Sequence, residues 1–146
     1  FSAAICPQGR ASGLPAYYFQ VNEAAALMIA GGVYMPEPGI LGQIRQHIAE
    51  RPERLAALLA DPTFVTTFGT LEGERLKRPP QGYAETTPGI EFIKLKSFTV
   101  SAELPGWLAR GDQLADEIAA TCHAMFPLIG WLRAALIGGG DRQPEK

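Results

Sequence analysis

Apolar and polar positions along the chain change period twice, and the changes separate extended from helical parts. The apolar run at 1–6 followed by the turn-rich Pro7-Gln8-Gly9-Arg10 stretch predicts a strand and then a loop. Tyr17, Tyr18, Phe19 and Val21 favour extended backbone, polar Asn22 and Glu23 interrupt them, and Leu27, Met28 and Ile29 resume the apolar run. The simplest structure for that pattern is a hairpin. Gly31 and Gly32 in its second strand predict a bulge or a place where another backbone comes close. They do not form a phosphate loop, because Val33, Tyr34 and Met35 continue the strand where such a loop would open a helix.

From Pro36 the period becomes helical. Pro36 and Pro38 end the strand and suit a first helical turn, and Ile40, Leu41, Ile44 and Ile48 make one apolar stripe. Pro52 restarts a helix carrying Leu55, Leu58 and Leu59. Asp61-Pro62 caps a third, short one with Phe64, Val65 and Phe68, which stops at Gly69. Residues 71–89, rich in Gly, Pro and Thr, read as a long surface loop. Residues 91–100 alternate, with Phe92, Lys94, Lys96 and Phe98 on one side and Ile93, Leu95, Ser97 and Thr99 on the other, which predicts a strand. A final helix runs from about Trp107 or Asp112 to Ile137. Leu114, Ile118, Cys122, Met125, Ile129 and Leu132 form its core face, with a kink expected at Pro127. Residues 138–146 read as a flexible tail, leaving 1–137 as one domain. The expected fold class is α+β, an antiparallel sheet packed against several helices.

Composition narrows the function classes more than it selects one. Of 146 residues, 47% are hydrophobic and 19% charged, which excludes intrinsic disorder. A net charge of -2 gives no global footprint for nucleic acid, so only a local basic patch would serve that partner. The most apolar stretch, 118–132, falls short of the ~20 residues a bilayer span needs, and no membrane partner is expected. No secretory signal pattern opens the chain, which points to the cytoplasm. Cys6 and Cys122 have no zinc-site spacing and read as reduced, packed thiols. Neither a metal nor a cofactor is expected, since His47 and His123 are the only histidines. Cys122 and His123 are neighbours on a helix and so point about 100° apart, which argues against a nucleophile–base pair.

One feature is chemically dense. Arg75, Lys77 and Arg78 lie in the loop that feeds the predicted strand bearing Lys94 and Lys96, and these make five of the thirteen Lys and Arg. Lys77, Arg78, Lys94 and Lys96 beside aromatic rings suit phosphate, carboxylate or a nucleic-acid backbone. The same lysines equally suit a solvated sheet face that discourages edge pairing. Tyr17 and Tyr34 are further candidate ligand-binding residues through their hydroxyls, although tyrosines on strands ordinarily pack half-buried with one wet end. Glu37, Glu53 and Asp61 stand at helix starts, where the dipole favours negative charge, and no general acid or base is nominated.

Four blocks carry a family resemblance: Ala16-Tyr17-Tyr18-Phe19-Gln20-Val21, Gly31-Gly32-Val33-Tyr34-Met35-Pro36-Glu37, Leu76-Lys77-Arg78-Pro79-Pro80-Gln81-Gly82-Tyr83 and Phe92-Ile93-Lys94-Leu95-Lys96-Ser97-Phe98. In this order and spacing the chain resembles the uncharacterised domain-of-unknown-function family 2461. The resemblance implies an α+β domain with no settled activity. It also implies an upstream helical part and a basic segment of the Arg-Phe-Ser-Lys-Asp-Lys-x-Pro-Tyr-Lys type, so that this chain corresponds to the C-terminal two-thirds of the family. Three functional expectations follow. The first is a module binding an anionic or phosphorylated partner, a small molecule or nucleic acid, through a basic and aromatic sheet face. The second is an enzyme of unknown reaction, loosely phosphate-ester chemistry, whose site joins the upstream basic segment to the hairpin tyrosines. The third is a structural protein that forms a homo-oligomer through an uncovered edge or apolar face.

Overall fold

Tyr17 and Phe19 alternate with Tyr18 and Gln20 along β2 (Ala16–Val21), and this alternation decides which side of the sheet is buried. The computed structural model describes residues 2–5, 15–21, 26–105 and 112–141, with backbone alone at 2–5 and 137–141. Strand β2 pairs antiparallel with β1 (Ser2–Ile5) and with β3 (Leu27–Val33), and β3 pairs antiparallel with β4 (Phe98–Leu104), giving the order β1-β2-β3-β4. Tyr17 stands opposite Gly31 and Phe19 opposite Ile29, while Val100 stands opposite Gly31 and Phe98 opposite Val33. These residues share one face, on which Ile29, Phe98 and Val100 are fully buried. The hairpin expected of residues 16–33 is therefore present. Cys6, the stretch 7–13 expected to be a loop, residues 22–25 and Trp107 lie outside the described residues.

Five helices complete the α+β fold among the described residues: α1 (Pro38–Glu50), α2 (Pro52–Ala60), α3 (Pro62–Phe68), α4 (Ile90–Ile93) and α5 (Leu114–Asp141). The first three each begin on a proline, whose fixed φ and missing N–H suit a first turn. Asp61 caps α3 by accepting a hydrogen bond from the Phe64 N–H at 3.2 Å. Helix α5 packs on β3, and α1 and α2 pack in turn on α5. Ile44, Ile48, Leu55 and Phe64 meet Met125, Leu128 and Leu132 in a single core. The His47 ring stands edge-on to Trp131 at 5.0 Å, joining α1 to α5. Pro127 lies inside α5 on its exposed side, and the helix continues past Ile137 to Asp141. Among the described residues no helix is long and apolar enough to cross a membrane.

The structure corrects the strand expected over 91–100. Gly89, at φ 79°, opens the helical turn α4 instead, which buries Ile90 and Ile93 one turn apart. Strand β4 begins only at Phe98. Phe92, Lys94, Lys96 and Phe98 therefore share no sheet face, and Phe98 belongs to the core. The basic and aromatic sheet face does not exist as such. Nor is 71–89 wholly a surface loop. Leu71 is buried, and Glu72 and Arg75 bridge to Thr99 and Leu95 beside β4. The Lys96 N–H donates to the Glu74 carbonyl and the Leu76 N–H to the Lys94 carbonyl, each at 2.8 Å.

Candidate functional site

Where β3 ends, the chain leaves the core abruptly: Val33 is buried, whereas Tyr34 is 72% and Met35 55% exposed. Met35 has φ 45°, the left-handed region that a side chain makes costly, and it is the one described non-glycine residue there. Ser97, 1% exposed just ahead of β4, holds this conformation, its Oγ accepting a hydrogen bond from the Met35 N–H at 2.8 Å. Pro36 and Pro38 then turn the chain into α1.

Between this corner and the segment bordering β4 lies an open cleft of about 370 Å³. Met35, Pro36, Pro38, Leu41 and Arg45 line it from the β3–α1 side, and Leu76 and Lys96 from across. Leu41 and Arg45 reach it together because residues four apart share a helix face. Arg45 is fixed by two backbone acceptors: its Nε donates to the Ile93 carbonyl at 2.7 Å and its Nη2 to the Leu95 carbonyl at 3.2 Å. Burial pulls its pKa below the ordinary arginine value, partly offset by Tyr83, yet a guanidinium stays charged. Among the described residues no carboxylate forms an ion pair with Arg45. A second depression, of about 260 Å³ and lined by Pro62, Thr63, Thr66 and Thr67, offers hydroxyls but no charge.

Of the six residues singled out in the sequence, the cleft contains Lys96. Its Nζ sits 3.7 Å from Glu74 Oε1, a loose and largely exposed pair worth at most about 1 kcal/mol. Lys77 and Arg78 follow Leu76 and are exposed, and exposed Tyr34 precedes Met35. Lys94 is engaged elsewhere: its side chain is only 11% exposed, and its Nζ donates to both Glu85 carboxylate oxygens at 3.0 and 3.3 Å. Tyr17 does not line the cleft; it lies on the sheet face that packs against α5, near Cys122 and Arg133. Arg45 and Met35 escaped the sequence reading. The available signal was an arginine one helical turn from Leu41, beside the apolar stripe.

Burial raises the pKa of the Tyr17 phenol, with the Cys122 thiolate adding to the rise and Arg133 opposing it; burial also raises the Cys122 thiol. As pH rises the unfolded chain releases these protons first, so the folded state binds more protons and stability must fall. The contribution is intact below roughly pH 8.5, where an unperturbed thiol ionises, and is lost as pH climbs through the raised folded values. Thermal melts should show the melting temperature declining above that point, and Cys122→Ala should delay the decline towards the range of the phenol. An identical onset in the variant would show that the thiol contributes nothing.

Among the described residues no group of three or more His, Cys, Asp or Glu could hold a metal ion. The fold and site together define an α+β domain with a cation-edged, apolar-walled cleft at the corner between β3 and α1. Residues 1–131 match the family described as "Conserved hypothetical protein (DUF2461)", and the chain belongs to that family. No curated protein and no solved structure matches the chain. Three of the four blocks that carry the family likeness meet at the cleft: one supplies Met35 and Pro36, another Leu76 and the last Lys96.

Proposed function

We propose that this domain is a binding module that takes a small anionic ligand, a carboxylate or phosphate, in the cleft beside Lys96 and Arg45. The observation that carries this reading is the pairing of two cations with otherwise apolar walls, one cation having no carboxylate partner among the described residues. A partly buried guanidinium that donates only to carbonyls retains its positive field, and an arriving anion gains charge-assisted hydrogen bonds there. Lys96 can exchange its loose contact with exposed Glu74 for a ligand oxygen. Exposed Lys77 and Arg78 beyond Leu76 add positive potential that steers an anion inward. The volume suits a small molecule better than a nucleic-acid strand, which would track an extended groove. The enzyme alternative joins an upstream basic segment to the hairpin tyrosines, and it finds less support here because Tyr17 packs towards α5 while Tyr34 is exposed to solvent.

Titration of inorganic phosphate into ¹⁵N-labelled protein tests the proposal. Amide shifts should concentrate at Met35, Leu76 and Lys96, and Lys96→Ala should weaken binding about tenfold, equivalent to about 1.4 kcal/mol. Shifts scattered over all exposed cations and unchanged by Lys96→Ala would overturn it.

A further inference from the structure

We infer that the ligand is an organic anion with an apolar or aromatic body, and that Met35 is the positioning residue that receives this body. The inference rests on the reading of the cleft as an anion site and adds the ligand's other half. Five of the seven lining residues, Met35, Pro36, Pro38, Leu41 and Leu76, are apolar, so a bare inorganic anion would face mostly surface that cannot replace its water. An apolar substituent covers those walls and releases their water. The cleft, at about 370 Å³, lies within the range of small-molecule sites and exceeds what one phosphate fills.

Met35 supplies the independent observation. A methionine at φ 45° is strained, and glycine would occupy that conformation freely. Core packing does not explain the side chain, because it is 55% exposed and lies against the cleft. The conformation is nonetheless held by the Met35 N–H donating to the buried Ser97 Oγ, against the extended backbone that a residue before proline prefers. Backbone strain maintained by its surroundings is characteristic of ligand clamps. A flexible, polarisable thioether fits a flat or irregular apolar group and makes favourable contacts with aromatic rings.

The experiment compares inorganic phosphate with phenyl phosphate by calorimetric or NMR titration of the wild-type chain and of Met35→Gly, Met35→Leu and Lys96→Ala. Wild type should prefer phenyl phosphate by about tenfold or more. Met35→Gly, which removes the strain and so should melt no lower, should reduce that preference to about twofold, read as the ratio of the two affinities in the same variant. Met35→Leu, apolar and of similar size, should keep most of the preference. Lys96→Ala should weaken both ligands alike. Equal affinity for the two ligands in wild type, or a preference surviving in Met35→Gly, overturns the role of Met35 while the anion site stands. Indifference of both ligands to Lys96→Ala, or no binding of either up to about 10 mM, overturns the anion site and this inference with it.

Discussion

Gly32→Ala is expected to destabilise the domain by roughly 3 kcal/mol or more, enough to unfold much of a marginal protein. Two effects add. Gly32 has φ 124°, beyond the small left-handed region that alanine can enter, and holding such backbone costs about 1–3 kcal/mol. A Cβ at that position would also collide with the Phe98 carbonyl oxygen and lie 2.9 Å from its carbon, and backbone in a paired strand has little room to retreat. Overpacking of this kind costs typically about 1–3 kcal/mol. Gly31→Ala makes the informative contrast. Its Cβ would run into the Met125 sulfur, part of a flexible side chain, and the backbone carbonyl of Ala16 stands farther off at 3.2 Å. Met125→Ala removes a fully buried side chain, which alone costs about 2–5 kcal/mol, so it should cost less in the Gly31→Ala background than in wild type and its full amount in the Gly32→Ala background. Urea denaturation of the single and double variants decides the matter. An equal cost of Met125→Ala in both backgrounds would contradict the distinction between a backbone and a side-chain obstacle.

Arg45→Ala is expected to cost about 2–3 kcal/mol, which is large for a residue on a helix surface. Its guanidinium ties α1 to the carbonyls of Ile93 and Leu95, on either side of the turn that leads from α4 towards β4. Hydrogen bonds from a charged donor contribute about 1.5–3 kcal/mol each, and partial access of water to this part-buried pair lowers the sum. The same turn positions Lys96, so stability and cleft geometry should fail together. Arg45→Lys should not restore either, because an ammonium is a point charge and lacks the planar fork that spans two acceptors. Amide hydrogen exchange should rise locally over residues 93–97 in both variants. Full recovery with lysine would mean that charge alone, without the fork, secures the turn.

Local signals carried most of the fold. The prolines at 38, 52 and 62 each sit where a helix begins, and the aromatic and β-branched run at 17–21 read as extended backbone, where β2 lies. Gly31 and Gly32 marked close approaches, by a side chain at the first and by a backbone at the second. The failure over 91–100 has a physical origin. Ile90 and Ile93 satisfy a helical spacing, while Ile93 and Leu95 satisfy a strand spacing, so four residues of helix cannot be told from alternation. What decided the outcome was the positive φ of Gly89, whose added Cβ would press on Pro52 in another helix. The candidate site was less legible. Lys96 stood out by charge, but the partner that occupies Lys94, Glu85, comes from an irregular segment with no period to read. Arg45 was hidden for a deeper reason: its acceptors are main-chain carbonyls, which every residue possesses and no sequence advertises.

The connectivity of β3 and β4 has a kinetic meaning. These adjacent antiparallel strands are separated by α1 through α4, so the helices form a long insertion within what would otherwise be a simple meander. Closing such a loop raises the entropy cost only slowly with length, but pairing distant strands is intrinsically slow. The β2–β3 hairpin is local and can zip early, whereas Phe98 reaches Val33 only after the chain between them has condensed. Met35 lies at the exit of this insertion and Lys96 at its return. The two walls of the cleft thus come together when the insertion closes, and competence to bind would be among the last properties the folding chain acquires.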